Sequence, residues 1–136
     1  MTEERYMIFK KDNRLWGLDT MVLSGVVQEP LIEKIPFVPA VVTGLLFFKN
    51  EAVPVLNFTA DDKPYDTLII IESIYGKVGI NVREILGIFN KEEIINERTC
   101  SPGADSRIIG RLNGEDVFYF DLKFINDFFK NIEIKN

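Results

Sequence analysis

The chain repeats itself, and the repeat limits what it can fold into. At an offset of 62 residues Trp16–Val27 lies over Val78–Phe89, so that Gly17 meets Gly79 and Gly25 meets Gly87. Apolar residues face each other at Trp16/Val78, Leu18/Ile80, Leu23/Ile85, Val26/Ile88 and Val27/Phe89. The same offset sets Tyr6–Phe9 over Leu68–Ile71. It then drifts to 66, where Gly44 meets Gly110, and to 64, where Val53–Phe58 meets Val117–Leu122. Loops of unequal length produce such drift. Two similar halves, about 6–58 and 68–122, predict two small subdomains within one domain of 136 residues.

The residue types in the repeat choose its secondary structure. Ile (17) and Val (11) far outnumber Ala (4), and Phe adds 11 more. β-Branched and aromatic side chains suit a pleated, half-buried surface, so an all-β fold is expected. Five strands are predicted in each half: Tyr6–Phe9, Leu15–Leu18, Gly25–Gln28, Leu45–Phe48 and Val53–Asn57, then Leu68–Ser73, Lys77–Val82, Leu86–Phe89, Ile108–Leu112 and Val117–Asp121. Asp12-Asn13, Lys49-Asn50, Tyr75-Gly76 and Asn113-Gly114 supply the turns. Five short strands close best as a small barrel, because closure removes exposed edges. Pro39 can open a helical turn that Gly44 ends, and Asp121 can cap a short helix over Leu122–Phe129.

What is missing narrows the function. With no histidine, Ser-His-Asp and Cys-His mechanisms are excluded, and the commonest general base and metal ligand are lost together. Cys100 is a lone thiol in a loop-like stretch, which suits a reducing compartment and gives no thiolate metal site. No phosphate-cradling glycine motif is present, so no cofactor is expected. Asp61/Asp62 and Glu92/Glu93 are the remaining carboxylate pairs; both sit in charge-rich stretches that read as solvated loops rather than catalytic dyads. A small carboxylate-dependent enzyme is the weakest reading.

A net charge of −5, with neither half basic, argues against nucleic acid, since counterion release needs clustered Lys and Arg. The aromatic run Phe118-Tyr119-Phe120 and the pair Phe128-Phe129 therefore read as core rather than as a stacking platform. No apolar run is long enough to span a bilayer and no signal-peptide pattern opens the chain, so a cytoplasmic protein without membrane insertion is expected.

The segment Ile35-Pro36-Phe37-Val38-Pro39-Ala40-Val41-Val42-Thr43-Gly44, followed by Val53-Pro54-Val55-Leu56-Asn57-Phe58, resembles the CheW-like chemotaxis coupling proteins. That family carries a P-x-x-P-x-x-x-x-G run and then V-x-P-V-x-D-L. The likeness runs from about Tyr6 to Leu122 and includes Trp16-Gly17-Leu18, Val78-Gly79-Ile80-Asn81-Val82 and Ile109-Gly110. It implies two interlocked five-stranded SH3-like barrels. It also implies a non-catalytic adaptor that joins the cytoplasmic tip of a chemoreceptor to the regulatory domain of a histidine kinase.

Carried over by motif, the residues bordering the partner groove would be Leu23, Gly25, Gly44, Lys49, Asn50 and Gly79. A side chain at Gly44 is expected to point into that groove and leave folding intact. The sequence departs from the family pattern where Lys49-Asn50 replaces Arg-Gly, Gly25 replaces Glu, Asn57 replaces Asp and Arg83 often replaces Asp. Lysine does not reproduce the bidentate fork of arginine, which keeps open a second reading: a CheW-like module serving a motility or developmental kinase.

Overall fold

The computed structural model describes residues 4–37, 42–56, 66–95, 107–123, 125–127 and 130. All ten expected strands form: β1 (Arg5–Lys11), β2 (Arg14–Asp19), β3 (Leu23–Gln28), β4 (Val42–Phe48), β5 (Glu51–Leu56), β6 (Thr67–Ser73), β7 (Gly76–Val82), β8 (Glu84–Asn90), β9 (Ile108–Leu112) and β10 (Glu115–Tyr119). A 3-10 turn at Thr20–Val22 and the short helix α1 (Lys91–Ile95) complete the named elements.

Three hairpins turn on two residues with left-handed backbone: Asp12-Asn13 (φ 55° and 60°), Lys49-Asn50 (49° and 65°) and Asn113-Gly114 (51° and 81°). This geometry matches the twist of the strands it joins. In the fourth hairpin the loop is Ile74-Tyr75, one residue earlier than expected, because Gly76 already pairs with Ser73.

The sheets do not follow the sequence halves. One has the order β8-β1-β2-β10-β9 and the other β3-β6-β7-β5-β4. The two compact units are accordingly unit 1, Met1–Met21 with Arg83–Phe120, and unit 2, Val22–Val82 with Asp121–Asn136. The halves 6–58 and 68–122 are thus sequence copies and not folding units, because each gives its first two strands to one sheet and its last three to the other.

The exchange is reciprocal. Under the repeat, β1, β2, β8, β9 and β10 map onto β6, β7, β3, β4 and β5, and the first order becomes the second. Register agrees, since Phe9 pairs with Trp16 as Ile71 pairs with Val78. The bulges agree as well. Ser24 is the extra residue where β3 meets β6, and Leu86 is its counterpart where β8 meets β1.

Each sheet curls around its own core, with Tyr6, Ile8, Leu15, Ile94 and Val117 inside unit 1 and Leu46, Val53, Val55, Leu68 and Ile70 inside unit 2. Burying each such side chain contributes about 1.5–3 kcal/mol relative to leaving it in water. Among the described residues neither sheet closes by a hydrogen-bonded ladder between its end strands, so the expected barrel is only approximated. The segment that follows the first end strand spans the gap instead.

In unit 2 that segment is extended, and Glu33 exchanges two backbone hydrogen bonds of 2.8 Å with Leu45. In unit 1 it is α1, whose Ile94 is fully buried. Glu92 and Glu93 therefore lie on a helix and not in the expected loop. Asn90 precedes the helix and its N–H donates to Glu93 Oε1 at 3.1 Å, the reciprocal half of a capping box.

After β10, Asp121 Oδ1 accepts the Lys123 N–H at 3.0 Å and Lys123 and Ile125–Asp127 are helical, with Ile125 buried. This supports the expected cap. Pro39, Asn57, Asp61, Asp62, Cys100, Phe128 and Phe129 lie outside the described residues. No helix among the described residues is long and apolar enough to cross a membrane.

Candidate functional site

All six residues singled out by the family motif fall in unit 2. Three of them form a row. Gly25 pairs with Ile70, Ile70 with Gly79, Gly79 with Val55 and Val55 with Gly44, so one line across the five strands reads Gly, Ile, Gly, Val, Gly. Residues directly opposite in a sheet share a face, and Ile70 and Val55 place this face in the core.

The glycines keep the layer narrow enough to fill. A Cβ on Gly79 would come within 3.0 Å of Leu68, and one on Gly25 within 2.6 Å of the Phe48 ring. A Cβ on Gly44 would overlap the backbone carbonyl of Glu33. Gly44 is the third residue of β4 and ends no helical turn. The expectation that its side chain would enter an open groove is therefore corrected: the position faces the strand-closing segment inside the fold.

Unit 1 carries the same row less completely. Gly87, Ile8, Gly17 and Tyr119 follow one another across its strands, but Gly110 pairs with Val117, two residues away. Gly110 still performs Gly44's task, because a Cβ there would overlap the backbone of Ile94. The drift in the repeat from 66 to 64 is the two residues by which β4 outruns β9 between its glycine and its turn.

The surface of the candidate site is the tip of the β4–β5 hairpin. Lys49 and Asn50 are exposed, and the Lys49 amine lies 5.3 Å from the centre of the Phe48 ring. That ring is the one packed on Gly25. Two departures from the family pattern thus meet at a single side chain: where the family has Glu and Arg, this chain has a glycine covered by Phe48 and a lysine resting on Phe48. Leu23 starts β3 half-buried, on the far side of the Ser24 bulge.

Beside the tip the sequence reading missed a cleft of about 440 Å³, lined by Val27, Glu29, Pro30, Leu31, Glu33, Leu46 and Phe47. Leu31 is 87% exposed and Phe47 64%. The signal was present in Leu46-Phe47-Phe48: alternation puts Leu46 in the core, so Phe47 must face outward.

In unit 1, Phe9, Trp16, Phe118 and Phe120 form an aromatic cluster with ring centres 5.4–5.9 Å apart. The guanidinium groups of Arg14 and Arg107 lie 4.7 and 5.9 Å from the centre of Phe118. These cations are contributed from elsewhere in the chain. Glu115 and Asp116 share the adjoining cleft with Lys10 and Arg14, so its charge is balanced. Lys11, only 4% exposed, is pushed by burial from the usual 10.5 down to about 8, with nearby Asp12 opposing the shift. Burial also raises the Tyr6 phenol, and Glu4 and Asp19 add to that.

Among the described residues no group of His, Cys, Asp or Glu is placed to hold a metal ion. The arrangement offers surfaces for binding: a basic hairpin tip, an apolar cleft and a charge-balanced aromatic face. Scans against protein-family models and curated proteins find no match. Among solved structures, the chain is similar to the scaffolding protein TtCheW from Thermoanaerobacter tengcongensis, with a TM-score of 0.69 and 18% identity, over 89% of this chain and 90% of that one. The chain has a CheW-like fold.

Proposed function

We propose that this protein is a non-catalytic scaffold of chemotaxis signalling, coupling the cytoplasmic tip of a chemoreceptor to the regulatory domain of a histidine kinase in the cytoplasm. The observation that carries the reading is the near end-to-end likeness to a protein that is itself a scaffold. The absence of histidine from the sequence agrees with a role in binding rather than turnover.

Within that role the Lys49-Asn50 tip, with Leu23 beside the bulge, is the partner-facing part of the site. Gly25, Gly44 and Gly79 set its shape from within by letting β3 and β4 approach their neighbours. A lysine on an exposed turn attracts an acidic receptor tip at long range, and salt weakens such attraction.

The test is a pull-down of the purified protein against receptor tips and kinase regulatory domains from the same genome, repeated with Lys49→Glu. The reading expects both partners to be retained and the receptor tip to be lost preferentially on charge reversal at low salt. Retention of neither partner would overturn it.

A second reading is favoured by the replacement of the family's Glu and Arg at positions 25 and 49: a CheW-like module serving a motility or developmental kinase. Capture of a kinase regulatory domain without any chemoreceptor tip would select it.

A further inference from the structure

The cleft beside β4 is a split in the sheet, and its geometry shows what it lacks. Leu45 lies opposite Pro54, which has no N–H to donate. Leu45 therefore turns its own N–H and C=O to the outer side, where Glu33 takes both at 2.8 Å. Two residues on, Phe47 presents its N–H and C=O to the same side. Continuing the Glu33–Leu45 register would set Leu31 opposite Phe47, but the bridge stops at Glu33 and the two segments part. Among the described residues nothing pairs with these outward groups of Phe47.

Unit 1 has no such place. There α1 covers β9 and buries Ile94, as Ile32 packs on the core of unit 2, but β9 reaches its turn two residues sooner and has no counterpart of Phe47. Unit 2 has kept the gap open, apolar and acidic: Val27, Leu31, Leu46 and Phe47 give apolar walls, and the charged residues lining it are both carboxylates, Glu29 and Glu33.

We infer that this split is a docking site for an extended segment of a partner protein, apolar at its centre and flanked by lysine or arginine. The backbone of Phe47 offers one donor and one acceptor to a strand-like guest. Leu31 and Phe47 cover its apolar side chain. Glu29 and Glu33 select cationic neighbours and repel an acidic segment. A second copy of this chain fits poorly, because a two-fold contact through the cleft would set Glu29 and Glu33 against themselves. The site does not depend on the coupling role proposed above and is distinct from the Lys49 tip, whose charge is opposite.

The probe is a short synthetic peptide with a Val-Leu-Val centre and lysines at both ends, titrated into the isotopically labelled full chain and followed by amide chemical shifts. Saturable shifts are expected at Leu31, Leu46 and Phe47, with affinity falling as salt is raised. Two variants on exposed side chains, Leu31→Ser and Glu33→Lys, should each weaken binding about tenfold or more while melting temperature stays near the parent's.

Controls with glutamates at both ends, or with serines at the centre, should not bind. Equal affinity for either control, shifts centred elsewhere, or full affinity retained by Leu31→Ser would overturn the assignment. So would concentration-dependent dimerisation without peptide that Leu31→Ser abolishes, which would make the occupant a second copy.

Discussion

Units 1 and 2 share a strand order and the bulges at Ser24 and Leu86, yet they finish their sheets by different means. Unit 1 lays α1 across β9, and Ile94 fills the gap. Unit 2 runs an extended segment along β4, makes one bridge at Glu33 and leaves a cleft. The difference begins with local sequence. Asn90 and Glu93 make one half of a capping box in unit 1, whereas unit 2 has Gln28 and Leu31 at those two positions and Pro30 at that of Glu92. A strand framework of this kind holds its register while its closing segment changes, so the closing segment is where the two copies are free to diverge in use.

The comparison breaks most sharply at the glycines under the closing segments. Gly44→Ala and Gly110→Ala each put a methyl group into backbone, of Glu33 and of Ile94, which cannot move without undoing the closure. Each should cost roughly 3 kcal/mol or more, read as a fall in the denaturation midpoint. If only one of the pair is severe, the two closures are not equivalent.

Lys11 marks a cost found in unit 1. Its amine titrates near 8 in the folded protein and near 10.5 when exposed, so between these values the unfolded chain holds a proton that the folded chain does not. Stability from this group therefore rises with pH through that window, and below about 8 the fold carries the full cost of a buried ammonium. Lys11→Met should stabilise the protein at pH 7 by roughly 1–3 kcal/mol and flatten the rise between pH 8 and 10.5. Urea denaturation of both proteins across that range checks it.

Smaller effects separate side-chain neighbours from backbone ones. Gly25→Ala meets only the far end of Phe48, which can swing away, so a loss of about 1 kcal/mol is expected along with a change in the Lys49–Phe48 contact. The turns give the smallest effect. Replacing Lys49-Asn50 by Asn-Gly, the turn unit 1 uses at Asn113-Gly114, should add about 0.5–1 kcal/mol, because lysine is strained at φ 49°. A stabilised variant that binds receptor tips less well would indicate that unit 2 keeps a poorer turn for recognition.

The strands were legible because they are local: alternation of Ile and Val, two-residue turns and matched glycines mark them without reference to the rest of the chain. Their partners were not. β3 and β8 are copies, with the same glycine and the same bulge, so nothing local tells β1 to pair with β8 instead of β3. Residues 6–58 therefore looked like one unit and are shared between two. Lys49-Asn50 could be read as an exposed turn. The role of Gly44 could not, since its neighbour Glu33 is brought in by a segment with no strand pattern. The capping box at Asn90 and Glu93 was present but was obscured by the charges around it.

Reconstitution with a kinase tests the coupling role most directly. Chemoreceptor tips, the histidine kinase and this protein would be combined and kinase autophosphorylation followed with and without receptor ligand, beside a control lacking the protein. The account predicts that kinase activity becomes dependent on receptor and on ligand only when the protein is present, and that Lys49→Glu weakens this dependence at low salt. Kinase activity that is the same with and without the protein, with neither partner bound, would contradict it.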